Sequence, residues 1–165
     1  MGETKIELES RNPTSIRRRL WRYGPLLLWL ALIFFASSGE FSAENTSRLV
    51  RPVLLWLFPA LSEAQLATAH LITRKASHFS EYAVLGFLAR RAFIASSSEF
   101  IRRHWFQVAL LLVVSYALLD EIHQSFVPSR TPSIYDSLID IAGGITVLLF
   151  FKLRYQRSAR DGSDV

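Results

Sequence analysis

The sequence predicts an all-α membrane protein, a bundle of four transmembrane helices with an interfacial helix in the first outer loop. Half of the 165 residues are hydrophobic, and the charged residues, 20% of the total, lie in blocks between long apolar runs. Two of these runs are apolar on every face, whereas a soluble amphipathic helix carries a polar stripe. A soluble bundle with buried core helices is the alternative, and the uniformly apolar faces favour the membrane.

Four apolar runs supply the predicted helices, at residues 23–38, 76–94, 105–119 and 134–151. A spanning helix needs about 20 mostly apolar residues. The first and third runs are shorter than that, and the second and fourth reach it only by including charged residues. One end of the bundle is therefore predicted to be too polar to face lipid.

The first connection, residues 39–74, is predicted to hold the interfacial helix. Its residues 52–58 are apolar but too few to span a membrane, and Pro59 then breaks the helix. Ser62 is expected to cap a further helix that runs through His70 or beyond. Three glycines, Gly86 and the Gly143-Gly144 pair, are expected to let two helices approach closely.

The distribution of Lys and Arg sets the expected orientation. Fourteen of the 19 basic residues lie in the two tails and the second connection, so the positive-inside rule places these segments in the cytoplasm. The predicted organisation is a basic cytoplasmic tail (1–22), a transmembrane domain (23–153) and a second basic, disordered tail (154–165). Because orientation accounts for the net charge of +5, we expect no nucleic-acid partner.

Unusual polar residues gather where three predicted helices meet the outer surface. They begin the second helix, end the third, occupy the following turn and begin the fourth; they are Lys75, His78, Glu81, Tyr82, Asp120, Glu121, His123, Gln124, Arg130, Asp136 and Asp140. The three-residue spacing of Lys75, His78 and Glu81 puts these side chains on one helix face. Ionisable residues at membrane depth are costly and tend to mark functional sites.

The charges of this predicted cluster do not balance. Five carboxylates face two cations when the histidines are neutral, and crowded carboxylates cannot all stay ionised cheaply. Proton transfer or cation binding would relieve the excess. A plainer interpretation stays open, in which Asp136 belongs to a helix cap beginning at Ser133 and Lys75 is a snorkelling anchor.

Two motifs carry a family resemblance. Residues 75–86 read K-x-x-H-F-x-E-Y-x-x-L-G, and residues 120–130 read D-E-x-H-Q-x-F-V-P-x-R. Together with the Ser37-Ser38 pair, Asp136 and the glycine pair, they resemble the VanZ-like membrane protein family over about residues 26–151. This chain has Asp140 where the family pattern usually carries Asn.

The resemblance implies a multi-pass protein of the bacterial inner (cytoplasmic) membrane, linked to resistance to teicoplanin-type glycopeptide antibiotics. It implies no settled biochemical activity. The residues themselves support an enzyme acting on a lipid-linked or cell-envelope substrate at the outer leaflet. His78 or His123 would be the general acid or base, oriented by Glu81, Asp120 or Glu121.

The same hypothesis assigns substrate binding to the remaining polar residues, namely Lys75, Tyr82, Gln124, Arg130, Asp136 and Asp140. Arg and Lys suit phosphate or carboxylate groups, so the expected partner is a membrane lipid or a lipid-linked envelope precursor. A metal variant is weaker because no H-E-x-x-H motif occurs, and no cofactor is assigned. A non-catalytic protein that sequesters antibiotic or a cell-wall precursor, a small transporter and an accessory subunit are the alternatives. Oligomeric state stays open.

Overall fold

The computed structural model describes residues 13–38, 43–128 and 133–161. This part of the chain folds into six helices and no strand, which confirms the prediction of an all-α protein. The helices are α1 (Pro13–Ala36), α2 (Ala43–Leu57), α3 (Glu63–Ile94), α4 (Glu99–Arg103), α5 (Trp105–Ser125) and α6 (Ile134–Asp161).

Three segments in the described ranges are long and apolar enough to cross a membrane: Ile16–Ala36 of α1, Trp105–Ser125 of α5 and Ile134–Arg157 of α6. Large apolar side chains on these helices point outward, such as Leu28 (63% exposed) and Leu111 (67% exposed). Exposed apolar surface of this kind is stable in lipid and a liability in water. These features identify a membrane protein.

The fourth predicted span lies within α3. It is less apolar than the other three spans, because it contains Glu81, Arg90 and Arg91. This helix instead occupies the middle of the bundle, where α1, α5 and α6 all pack against it and α6 does so most extensively. The core around it consists largely of small or fully enclosed side chains, including Tyr82, Leu85, Ala89, Ala92, Val113, Ala117 and Leu148.

The length of α3 differs from the prediction. Ser62 caps it as expected, since the Ser62 hydroxyl accepts from the Gln65 amide while the Gln65 side chain accepts from the Ser62 amide. The helix then continues without a break to Ile94, so the two helices predicted on either side of the charged segment are one. Its first turns form a hairpin with α2, joined by the Arg51–Glu63 ion pair at 2.5 Å.

The glycines bring α3 and α6 into backbone contact, as predicted. A Cβ atom added at Gly143 would lie 2.1 Å from the Phe79 carbonyl oxygen, and one added at Gly86 would lie 2.9 Å from the Gly144 carbonyl oxygen. Real Cβ atoms do not approach that closely, so only glycine fits. Because Phe79 follows His78 in the sequence, this contact also fixes where His78 meets α6.

Candidate functional site

The predicted polar residues meet at one end of the bundle, which we call the polar end. Helices α1 and α5 end there, α6 begins there, and α3 passes through it. Contacts between these elements define it: Ser37 with Asp120, Glu121 with the Ser133 backbone, and three ion pairs between α3 and α6. The opposite end carries the arginines of α1, α4 and the end of α3 and is called the basic end.

His78 is paired with a carboxylate across the α3–α6 interface. Its Nδ1 lies 3.2 Å from Oδ1 of Asp140, whose side chain is fully buried, while the His78 side chain is 12% exposed. An ionised carboxylate only accepts hydrogen bonds, so it holds the proton on Nδ1 and leaves Nε2 of a neutral imidazole as an acceptor. The contact with Asp140 therefore sets the orientation and the tautomer of the His78 ring.

A second ion cluster lies beside this pair. Lys75 Nζ is 3.2 Å from Asp136 Oδ1, and Arg74 Nη2 is 3.5 Å from Asp136 Oδ2. Two cations therefore share one carboxylate, which leaves this cluster with one excess positive charge. The Arg74 side chain is 25% exposed and the Lys75 side chain 40% exposed, so both cations remain within reach of a ligand at the bundle surface.

Asp120 is held in a buried network that joins α1 to α5. The Ser37 hydroxyl donates to its Oδ1, and Gln124 Nε2 donates to its Oδ2 at 2.9 Å. Close by, the Ser137 hydroxyl donates to the Ala117 carbonyl at 3.5 Å. These groups form hydrogen bonds with one another inside the protein. Through them, Asp120 holds the end of α1 against α5.

The other predicted acid–base residues have different surroundings. Glu121 Oε2 accepts from the Ser133 amide at 2.6 Å, which ties the end of α5 to the start of α6. The ring of His123 packs against Phe34 with centroids 4.3 Å apart. Glu81 is half-buried one turn beyond His78, and the Trp29 indole donates to its backbone carbonyl at 2.9 Å.

Several buried polar atoms at this end keep hydrogen-bonding capacity that no described residue uses. They are Tyr82 Oη, Gln124 Oε1 and Asp140 Oδ2, with Glu121 Oε1 and His123 Nε2 on α5. The Tyr82 and Gln124 side chains are completely enclosed. Buried polar groups are costly unless partnered, so these atoms mark where the polar end can accept water or polar groups of a ligand.

The structure therefore distributes the predicted residues over separate pairs. His78 lies with Asp140, Lys75 with Asp136, and Asp120 with Gln124, while Tyr82 is buried in the core between them. The carboxylate against His78 is one that the sequence analysis placed among the substrate-binding residues. Arg130 lies outside the described residues. No group of three or more His, Asp or Glu residues suited to a metal ion occurs within the described ranges.

Two groups that contact the acidic residues of the polar end were not predicted from the sequence. Arg74 was not identified there, although its position next to Lys75 could have suggested a second partner for Asp136. The Ser133 backbone amide bonds Glu121, and no side-chain pattern signals such a contact. Ser37 was noted in the family motif without a partner, and the structure supplies Asp120.

The fold and this site define a class, a helical membrane protein with a cluster of His, Lys, Arg and carboxylate side chains at one end. The sequence also matches the profile of the VanZ/LLP1 family over residues 23–155. This match covers most of the chain, and the protein therefore belongs to the VanZ/LLP1 family. No protein of established function and no solved structure matches it.

Proposed function

We propose that this protein spans the bacterial inner membrane four times, with both tails in the cytoplasm and the polar end facing out. There it binds the anionic group of a lipid-linked or cell-envelope substrate, and His78 transfers a proton to or from that substrate. The proposal combines the expected orientation with the contacts at the polar end. The family resemblance links such a protein to glycopeptide resistance.

The observation that carries the proposal is the His78–Asp140 pair, 3.2 Å apart and one helical turn from Lys75. A general base needs an accessible nitrogen and a partner that fixes the ring. With Nδ1 held by Asp140, the Nε2 atom takes a proton from a substrate hydroxyl or water, and the resulting imidazolium is stabilised by the buried carboxylate. The same nitrogen then returns the proton to a leaving group.

Anion binding is assigned to Arg74 and Lys75. Both side chains pair with the single carboxylate of Asp136, so these three residues together carry one positive charge. A guanidinium presents a planar set of donors to phosphate or carboxylate oxygens, and the Arg74 Nε has no hydrogen-bond partner among the described residues. A phosphate or carboxylate held here would lie close to the histidine on the same face of α3.

Binding without chemistry is the second candidate, and the separation of the two pairs favours it. Arg74 and Lys75 contact Asp136, whereas His78 contacts Asp140, so an anion can be held without the histidine. A protein that sequesters an antibiotic or shields a cell-wall precursor would need only the cations. The two functions therefore differ in their dependence on His78.

The test is to express the variants His78→Gln and Lys75→Gln in cells lacking the native protein. Teicoplanin susceptibility and membrane abundance are measured in the same cultures. Loss of protection in both variants at normal abundance supports the proposal. Loss in Lys75→Gln alone indicates binding without proton transfer, and normal protection in both variants removes the polar end as the functional site.

A further inference from the structure

A cavity at the basic end is lined by four arginines and lies on the opposite side of the bundle from the polar end. It has a volume of about 590 Å³ and is formed by Arg17, Arg18, Trp21 and Arg22 of α1 with Arg91 and Ala95 at the end of α3. None of these arginines forms an ion pair with an acidic residue in the described ranges. Four like charges around one concavity repel each other unless an anion is present.

The position of the cavity is fixed by contacts beside it. The Tyr23 hydroxyl donates to the Ser96 hydroxyl at 2.9 Å, and the Arg102 guanidinium donates to the Ser96 carbonyl at 3.1 Å. The first bond ties the middle of α1 to the turn after α3, and the second ties α4 to the same turn. The arginines of the two helices are therefore brought together by the packing of the bundle, and Arg22 and Arg91 are half-buried by it.

The apolar surface next to the cavity favours a lipid over a soluble anion as the ligand. Arg17, Trp21 and Leu28 fall within about 40° of one another around α1, because the helix turns about 100° per residue. Trp21 is 66% exposed and Leu28 63% exposed. From Trp21 to Leu28 the helix rises about 10 Å, roughly two thirds of one leaflet of the 30 Å hydrocarbon layer. An apolar strip thus runs away from the charged cavity along α1.

We propose that this basic cavity binds the phosphate of an anionic phospholipid, whose acyl chains lie along Trp21 and Leu28. The guanidiniums of Arg17, Arg18, Arg22 and Arg91 donate to the phosphate oxygens, and the indole sits at the headgroup level, where Trp is favoured. The negative charge of the bound lipid reduces the repulsion among the four arginines and holds the first half of α1 against the end of α3. This site is independent of the one proposed at the polar end.

The experiment uses the full-length protein in nanodiscs of phosphatidylcholine containing a minor fraction of phosphatidylglycerol. Native mass spectrometry counts the lipid retained by the native chain and by the variants Arg91→Gln and Arg18→Gln. Arg103→Gln is the matched control, because Arg103 is an exposed arginine of α4 at the same end and does not line the cavity. Inorganic phosphate is added as the soluble competitor.

We expect each cavity variant to retain phosphatidylglycerol about fivefold more weakly, since one basic residue near an anionic surface contributes about 1 kcal/mol. The control variant should retain it normally, and inorganic phosphate should not displace it. An equal loss in Arg103→Gln would mean attraction to net charge rather than a site, and full retention in both cavity variants would overturn the proposal. Displacement by phosphate would assign the cavity to a soluble anion.

Discussion

His78 on α3 and Asp140 on α6 face each other with 3.2 Å between Nδ1 and Oδ1. One residue further along α3, the Phe79 backbone touches Gly143, which lies about one turn beyond Asp140 on α6. The contact between the backbones sets the separation of the two helices at the height of the ion pair. The geometry of the proposed proton-transfer pair therefore depends on a glycine that takes no part in the chemistry.

Replacing either member of this pair should impair function without removing the protein. In His78→Gln the side chain loses its titratable nitrogen, and in Asp140→Asn the position keeps an acceptor but loses the charge that stabilises an imidazolium. We expect cells with His78→Gln to be as susceptible to teicoplanin as cells without the protein. Asp140→Asn should be only partly impaired, because an Asn oxygen can still accept from Nδ1 and the resembled family usually carries Asn here. The double variant should be no worse than His78→Gln alone, because the two residues act as a unit.

His104→Gln is the matched control for this prediction. His104 lies between α4 and α5 at the basic end, where its Nδ1 is 3.1 Å from the Phe100 carbonyl. Its replacement should leave susceptibility unchanged at equal membrane abundance. Additive losses from His78→Gln and Asp140→Asn would show that the two side chains act separately and would contradict the pair.

The pairing of His78 shows which features of the site could be predicted from the sequence and which could not. The three-residue spacing of Lys75, His78 and Glu81 predicted a polar face on α3, and Lys75 and His78 do both contact α6. The four apolar runs lie largely within α1, α3, α5 and α6. The carboxylate opposite that face depends on the register between α3 and α6. Packing at the glycines fixes this register, and the periodicity of a single helix contains no information about it.

The extent of α3 was missed for a related reason. Residues 70–75 contain His70, Arg74 and Lys75, and this charged segment interrupts the apolar pattern from which helices were predicted. Helix formation needs no apolar continuity when tertiary contacts support the exposed turns. Here α2 packs against the first turns of α3, and Asp136 neutralises the cations.

The cations at Asp136 can be assigned by a charge-rescue series. The double variant Arg74→Gln/Lys75→Gln leaves the Asp136 carboxylate, with a side chain only 12% exposed, without a cation. Membrane abundance should fall, since a buried charge without its partner is strongly destabilising. Adding Asp136→Asn removes that charge and should restore abundance. Protection against teicoplanin should stay lost, because no cation remains to bind the substrate anion.

Quantitative immunoblotting of membranes and susceptibility testing of the same cultures measure both effects. The single variant Asp136→Asn is the reference, because it keeps both cations and changes only their partner. Recovery of protection in the triple variant would mean that Arg74 and Lys75 merely neutralise Asp136. Anion binding at these residues would then be ruled out.

The glycine contact predicts a stability difference between two otherwise similar substitutions. Gly143→Ala places a methyl group against the Phe79 carbonyl, whereas a Cβ at Gly24 meets nothing within 4 Å. We expect Gly143→Ala to destabilise the bundle by about 1–3 kcal/mol through overpacking and to lower membrane accumulation. Gly24→Ala should be neutral or slightly stabilising, since Ala is the better helix former by about 1 kcal/mol.

Thermal unfolding of the purified variants in one detergent, followed by circular dichroism, compares them directly. A leucine at position 143 should be worse than an alanine, because a larger side chain forces α6 further from α3. Equal stability of Gly143→Ala and Gly24→Ala would show that the two backbones can separate without loss. The contact would then have no part in positioning His78.

The orientation can be tested with reporter fusions, and α3 is the helix that decides it. The Tyr23–Ser96 hydrogen bond joins the middle of α1 to the turn after α3, and the Ser37–Asp120 contact joins the end of α1 to the last turns of α5. Because α1 and α5 are apolar enough to span, we expect α3 to cross antiparallel to α1 despite its charges. Its carboxylate and arginines then lie near the two ends of the span.

Fusions after Ser10, at Ser97 and after Ala159 should therefore report the cytoplasm, and fusions at Glu44 and Ser129 should report the outside. If α3 did not cross, only α1, α5 and α6 would span, and the two tails would lie on opposite sides of the membrane. Ser10 and Ala159 then give opposite signals and Ser97 reports the outside. If Ser10, Ser97 and Ala159 all report the cytoplasm, the chain crosses the membrane four times, which agrees with both hydrogen bonds. The polar end then faces outward, into the compartment where glycopeptides meet envelope precursors.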